Sequence, residues 1–237
     1  MLAAAAVCPC PPLLVPQVAA GAAPELDAAR AACTDALGVL AAARPDLLVV
    51  VGPAEESGRG TYAEGTPGSF RGFGVDIDVR LGAERGARPQ RALPSSLAVA
   101  AWLLERTGWS DAPIEGLGVG EPLEPERCIQ AGRDIAARAE RVALLVMGDA
   151  SACRTLKAPG YLDARAAPFD ASVARALGAA DVAALKTLDV ELARDLKASG
   201  RAPWQVLAGA AEDATLSGAL LYEDAPYGVG YMVATWS

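Results

Sequence analysis

Leu47-Leu48-Val49-Val50-Val51-Gly52-Pro53 decides the fold: five apolar residues in succession, with no polar alternation, stopped by Gly-Pro. A strand with one wet face alternates, whereas a run like this one belongs to a strand covered on both faces, as in parallel sheets sandwiched by helices. Immediately upstream, Pro24 to Arg44 places Leu26, Ala29, Cys33, Leu37 and Leu40 on a helical period, with Pro24 in a permissible first turn and Pro45 as the stop. Upstream again, the apolar run Leu2 to Val7 ends at Cys8-Pro9-Cys10-Pro11-Pro12, where prolines fix φ and remove backbone donors. Strand, helix, strand in that order implies a right-handed parallel crossover, and it presents Cys8, Cys10, Glu55 and Glu56 at one carboxyl edge of the sheet. Ligands of open α/β sheets bind at that edge.

The pattern continues downstream. Ser57 to Gly74 is Gly-rich and polar, and reads as a long loop. Val75 to Arg80 alternates and predicts a half-exposed edge strand whose Asp76 and Asp78 face water. Ser95 or Ser96 is placed to cap a helix to about Arg106, anchored by Trp102 or Trp109. Ile114–Val119 and Val142–Met147 read as strands around a helix from Pro125 to Glu140, and Gly148-Asp149-Ala150-Ser151-Ala152-Cys153 brings a carboxylate, a hydroxyl and a thiol to the end of the second. Phe169 to Ala211 is helical with breaks at Gly178 and Ser199-Gly200, and Asp181 and Asp189 suit N-cap positions. Ser217–Glu223 and Gly228–Trp236 flank a Pro226-Tyr227-Gly228 turn and predict a terminal hairpin. The expected architecture is a single α/β domain over residues 1–237, with a largely parallel or mixed central sheet, helices on both faces and a C-terminal β-hairpin.

Composition removes whole classes of function. The formal charge is −8 and no Lys/Arg cluster is present, which argues against nucleic acid as a partner. The chain has no histidine. That absence takes away the usual neutral-pH general base and the commonest ligand of zinc and non-haem iron, leaving Cys, Asp, Glu, Lys and Tyr for any catalysis. Five scattered cysteines in apolar surroundings suit reduced thiols in a cytoplasm rather than a disulfide framework. The run Leu2 to Val7 lacks a preceding Lys or Arg and is cut short by proline, so it reads as a buried first strand, not a leader or a membrane span.

The residues that carry chemistry, Cys8, Cys10, Glu55, Glu56, Asp149, Ser151 and Cys153, all fall at predicted strand ends, with Tyr161 on the following Pro159-Gly160-Tyr161 loop as a further pocket candidate. Each has a plain structural reading beside the functional one. Small thiols pack well in a proline turn, Asp149 and Ser151 can cap backbone amides, glutamates in a loop can simply be solvated, and Tyr161 can pin its own loop. A thiol nucleophile assisted by Glu55, Glu56 or Asp149 is one alternative, but acidic neighbours raise a thiol pKa.

Taken in order, Pro9 to Pro16 (Pro-x-Pro-Pro-Leu-Leu-x-Pro), Pro45 to Glu55, Val142 to Ser151, Phe169-Asp170 and Trp204 to Ala210 (Trp-x-x-Leu-x-Gly-Ala) resemble the LigB-like superfamily. That superfamily includes the catalytic B subunit of class III extradiol ring-cleaving dioxygenases and the Memo-like proteins. The resemblance spans nearly the whole chain and implies a LigB-like sandwich. Enzymatic members bind Fe(II) through two histidines and a carboxylate, cleave catechols with O₂, and use a further histidine as acid/base. By that resemblance the first ligand falls on Cys10, the second on or beside Glu55, and the acid/base histidine near Ala152 or Cys153. The carboxylate ligand would precede Trp204, where Ser199-Gly200-Arg201-Ala202 offers none. The expectation is therefore a LigB-like protein without the His-based Fe(II) site and without a metal or other cofactor, keeping a pocket for a small molecule or a protein partner. The alternative is a divergent enzyme of the same fold that uses Cys10, Glu55 and Asp149 as an unusual metal site, better suited to zinc, for which a cysteine at the metal position of Memo-like proteins is a precedent. Homo-oligomers through the terminal hairpin or the Val75–Arg80 edge fit the same reading.

Overall fold

The computed structural model describes residues 1–84 and 91–237. In chain order, β1 (Leu2–Cys8) leads through a short helix α1 (Pro16–Ala19) to α2 (Asp27–Ala42) and β2 (Leu47–Pro53). β3 (Gly60–Tyr62), β4 (Pro67–Ser69) and β5 (Asp78–Arg80) precede α3 (Ser95–Thr107), β6 (Ile114–Val119), α4 (Pro125–Ala136) and β7 (Val142–Met147). Then come α5 (Ala166–Gly178), α6 (Val182–Lys186), α7 (Val190–Asp195), α8 (Arg201–Ala210) and the hairpin β8 (Gly218–Asp224) and β9 (Tyr231–Trp236). The central seven-stranded sheet runs β3-β6-β2-β7-β1-β9-β8. β6, β2, β7 and β1 are mutually parallel, and β3, β9 and the β8 edge are antiparallel to their neighbours.

The unbroken apolar runs are explained by two cores, one on each face of the sheet. Ala4, Ala6 and Cys8 of β1, Leu48 and Val50 of β2, and Leu145 and Met147 of β7 meet Leu37 and Leu40 of α2 and Leu97 of α3. The intervening residues, Ala5 and Val7, Val49 and Val51, and Leu144 and Val146, meet Ile135 of α4, Val173 of α5 and Trp204 of α8 on the opposite face. Each fully buried leucine or valine contributes roughly 1.5–3 kcal/mol relative to exposure, so both faces of a strand must be apolar for both cores to hold. α4 and α8 pack backbone to backbone: a Cβ on Gly132 would overlap the Val206 carbonyl, and one on Gly209 would overlap Ile129.

Several boundaries differ from the sequence expectation. The first long helix starts at Asp27, because residues Ala20–Leu26, with Pro24 among them, form a 3₁₀ segment tied down by Arg30, which donates to the Leu14 carbonyl at 3.2 Å and pairs with Asp27 at 2.5 Å. α4 stops at Ala136, short of Glu140, whose carbonyl accepts from the Met1 amino group at 2.9 Å as the chain enters β7. The supposed loop Ser57 to Gly74 is structured: β3 adds to β6, and β4 pairs with β5 in a separate two-stranded ribbon. β3 pairs with a strand more than fifty residues away, and strands of three residues leave no local periodicity to read. The alternating strand shrinks to β5 and lies in that ribbon, not at an edge of the main sheet; exposed Asp76 and Asp78 both bind Arg71, at 2.7 and 2.6 Å. Neither serine caps α3, whose N-cap is Pro94; Ser96 instead donates to the Pro53 carbonyl at 2.6 Å and ties the helix to the end of β2. Asp181 and Asp189 do cap α6 and α7, accepting from the Ala184 and Leu192 amides. Among the described residues no helix is long and apolar enough to cross a membrane.

Candidate functional site

β1 and β7 are neighbours, but the chain leaves β1 for α2 on one face of the sheet and leaves β7 for α5 to α8 on the other. The two loops therefore diverge and open a crevice at the carboxyl edge, the place where doubly wound sheets bind ligands. Prolines at 9, 11 and 12 bar the first loop from continuing the ladder, so the Cys10 amide turns across the gap and donates to Asp149 Oδ1 at 2.8 Å. The Asp149 amide in turn donates to Ser199 Oγ at 3.1 Å, and the Gly200 amide to the Asp149 carbonyl at 2.9 Å. Ser199 also lies close enough to the Cys10 thiol to favour its ionised form. Three segments remote in sequence are thus sewn together around one carboxylate.

A fourth segment closes the group from the hairpin side. The Ala150 amide donates to the Gly230 carbonyl, and the Gly230 amide to the Ser151 carbonyl, both at 2.8 Å, so β9 starts against the Asp149 loop with Tyr231 buried as its first residue. The loop is held from below by Asp170 of α5, fully buried, which accepts from the Ser151 amide at 2.9 Å, the Ser151 hydroxyl at 2.8 Å and Arg154 at 2.9 Å. Ser199 also lines a cavity of about 440 Å³ with Pro53, Ala54, Glu55, Glu56 and Glu121. Arg59 adds a positive charge to its rim.

Electrostatics follow from this burial. Loss of solvent pushes the Asp149 carboxyl up to about 7, against the opposing pull of the Cys10 N–H. Burial raises the Cys10 thiol well above its ordinary range, the Asp149 charge raises it further, and Ser199 only partly offsets this. Tyr231 is also raised, first by burial and then by the nearby Asp149 and Cys10. At neutral pH the crevice holds a carboxyl poised between its two states, a protonated thiol and a neutral phenol.

The eight residues singled out from sequence do not form one cluster. Cys10 and Asp149 meet. Glu55 and Glu56 are exposed on the neighbouring cavity. Cys8 stands apart from Asp149: as the last residue of β1 it shares the face of Ala4 and Ala6, and sits in the core against Cys33, whose hydrogen bond, with burial, raises its pKa well above the ordinary value. Ser151 is fully buried and committed to Asp170. Cys153 is buried with Sγ 3.5 Å from the Leu196 carbonyl. Tyr161 is 63% exposed in a left-handed turn with φ 64°. Ser199 and Tyr231, which complete the group, carry no local signal beyond the helix break at Ser199-Gly200 and the hairpin alternation that puts Tyr231 on an inward face.

No family profile and no curated protein matches this sequence. The crystal structure of uncharacterized protein JW3007 from Escherichia coli K12 is similar to the chain at 15% sequence identity, covering 98% of each chain with a TM-score of 0.53. The likeness is one of fold.

An Fe(II) centre of the kind the motif resemblance implies does not fit these side chains. Among the described residues no three Cys, Asp or Glu side chains converge as a metal-holding group. Cys10 meets Asp149 through its backbone N–H. Glu55 lines the cavity but stands outside the Cys10–Asp149–Ser199 group.

Proposed function

We propose that this chain is a LigB-like protein that has lost His-based Fe(II) ring cleavage and keeps the carboxyl-edge crevice as a binding pocket for a small molecule in the cytoplasm. The observation that carries the reading is the Cys10–Asp149–Ser199 group: it lies at the junction of β1 and β7, its Ser199 lines a cavity of about 440 Å³, and it has Cys10 where the resemblance calls for the first histidine. The cavity size suits a metabolite-sized ligand. Its walls bear Glu55, Glu56 and Glu121 against Arg59, which favours an uncharged or cationic occupant over an anion. A thiol nucleophile is disfavoured by the upward shift of the Cys10 pKa.

Two measurements test this together. A thermal-shift screen of uncharged and cationic metabolites should give ligands whose effect disappears in Ser199→Trp, which fills the cavity wall. Incubation with Fe(II), O₂ and a catechol panel should give no yellow ring-cleavage product. Robust catechol turnover, or a screen in which no ligand depends on Ser199, refutes the reading.

A further inference from the structure

The cavity that Ser199 lines carries charges of both signs that leave one another unpaired. Glu55, Glu56, Glu121 and Arg59 all border it, and among the described residues none of the four side chains makes an ion pair or a hydrogen bond. Local structure keeps them apart. Arg59 lies over Gly120, where an added Cβ would overlap its Nε and Cζ, so the guanidinium is seated on backbone and not on a carboxylate. Glu121 is carried on a segment fixed from behind by Arg201, itself 1% exposed, which donates to the Glu121 carbonyl and, at 2.6 Å, to the Leu123 carbonyl. Glu55 and Glu56 enter a turn closed by the Gly58 amide on the Glu55 carbonyl and by the Tyr62 hydroxyl on the Gly58 carbonyl, both at 2.8 Å. Opposite charges that share one cavity without meeting are left to a ligand that carries both signs.

We propose that this cavity binds a basic aliphatic α-amino acid of the lysine or ornithine type, its carboxylate on Arg59, its two ammonium groups among Glu55, Glu56 and Glu121, and its methylene stem along Pro53, Ala54 and Pro122. The inference rests on the pocket reading above and names the class of ligand. One guanidinium is complemented by one carboxylate, which it can grip with two parallel N–H donors. Three carboxylates are complemented by more than one cation. The apolar prolines and alanine between the charges give a methylene chain a surface to lie on while both of its ends stay in contact with charge.

The same charges select against the neighbouring classes of small molecule. A simple anion satisfies Arg59 but faces three glutamates, a diamine satisfies the glutamates but sets an ammonium against Arg59, and an amino acid with an apolar side chain supplies one cation where three carboxylates wait. Discrimination of this kind comes from the cost of each mismatch as much as from the matched contacts. All four charged side chains stand at the surface, so each can be changed without disturbing either core.

Isothermal titration calorimetry of the full-length protein tests this with L-lysine, with cadaverine, which lacks the carboxylate, and with ε-aminocaproate, which lacks the α-ammonium. Lysine should bind at least about 10-fold more tightly than either, the scale of one charge-assisted hydrogen-bonded pair. Arg59→Gln should abolish the preference for lysine over cadaverine without weakening cadaverine, and Glu121→Gln should weaken both. Asp111→Asn, an exposed carboxylate just ahead of β6 at the opposite edge of the sheet, should change neither, whereas diffuse attraction of cations to a chain of charge −8 would weaken with any lost carboxylate. Lysine bound no more tightly than cadaverine, or a preference for lysine that survives Arg59→Gln, overturns the proposal. If other ligands still bind in a Ser199-dependent way in that case, the pocket reading survives and only the amino-acid assignment falls.

Discussion

Replacing Asp149 by Asn should change how the stability of this protein depends on pH. The carboxyl has a folded-state pKa of about 7 against an ordinary value of 3.8, raised by burial behind the Cys10, Ser199 and Tyr231 walls. With the folded value above the unfolded one, the group's favourable contribution is complete below pH 4, declines as pH rises, and is gone once pH passes 7. The gap corresponds to about 4 kcal/mol at 1.36 kcal/mol per tenfold, an upper bound because Asp149 is partly exposed. Asparagine keeps an oxygen that can accept from the Cys10 amide but cannot ionise, so the variant lacks this term. Urea unfolding of both proteins at pH 4.5, 6, 7 and 8 isolates it, since every other titrating group is common to the pair. Asp149→Asn should gain on the parent by up to about 3 kcal/mol between pH 4.5 and 8, most of it before pH 7, the remainder of the gap having been lost below pH 4.5. A difference that stays constant across the series would mean that Asp149 titrates like a solvated carboxylate, and would refute its placement in a desolvated crevice.

Two further outcomes follow from packing. Gly200→Ala puts a Cβ into the Trp204 indole beside the crevice and should destabilise by about 1–3 kcal/mol, whereas Gly38→Ala, on an open face of α2, should stabilise by about 0.5–1 kcal/mol; chemical denaturation that gives both changes the same sign contradicts the geometry. All five thiols are buried, and Cys8 and Cys10 are raised well above the ordinary thiol pKa, so iodoacetamide at pH 7 should label native Cys10 at least ~10-fold more slowly than free glutathione, with all five reacting in urea; a native Cys10 as fast as glutathione removes the protonated-thiol assignment.

The strands of the parallel core were the most legible part of the sequence. Val142–Met147 has the boundaries that its apolar run predicts, because a strand buried on both faces leaves no polar positions to blur its ends, and Ile114–Val119 also keeps its predicted bounds. The caps at Asp181 and Asp189 were legible for a similar reason, since a side chain and an amide three residues on suffice to make them. The short strands within Ser57 to Arg80 were not, because Gly60–Tyr62 is a strand only by virtue of β6, more than fifty residues away in the chain.

The candidate site divides in the same way. Sequence alone put Cys10 and Asp149 at strand ends, and the missing histidines determined which chemistries they cannot perform. It treated Cys8 and Cys10 as a pair, yet Cys8 is still inside β1 and packs in the core with Cys33, whereas Cys10 lies past the strand's end, where its amide turns to Asp149. Which side chains complete the crevice was decided by tertiary structure, because Ser199 lies just ahead of α8 and Tyr231 opens β9, and both reach Asp149 through backbone hydrogen bonds between segments 50 to 80 residues apart. Local pattern records what each segment must bury; only the order of strands in the sheet determines which segments share an edge.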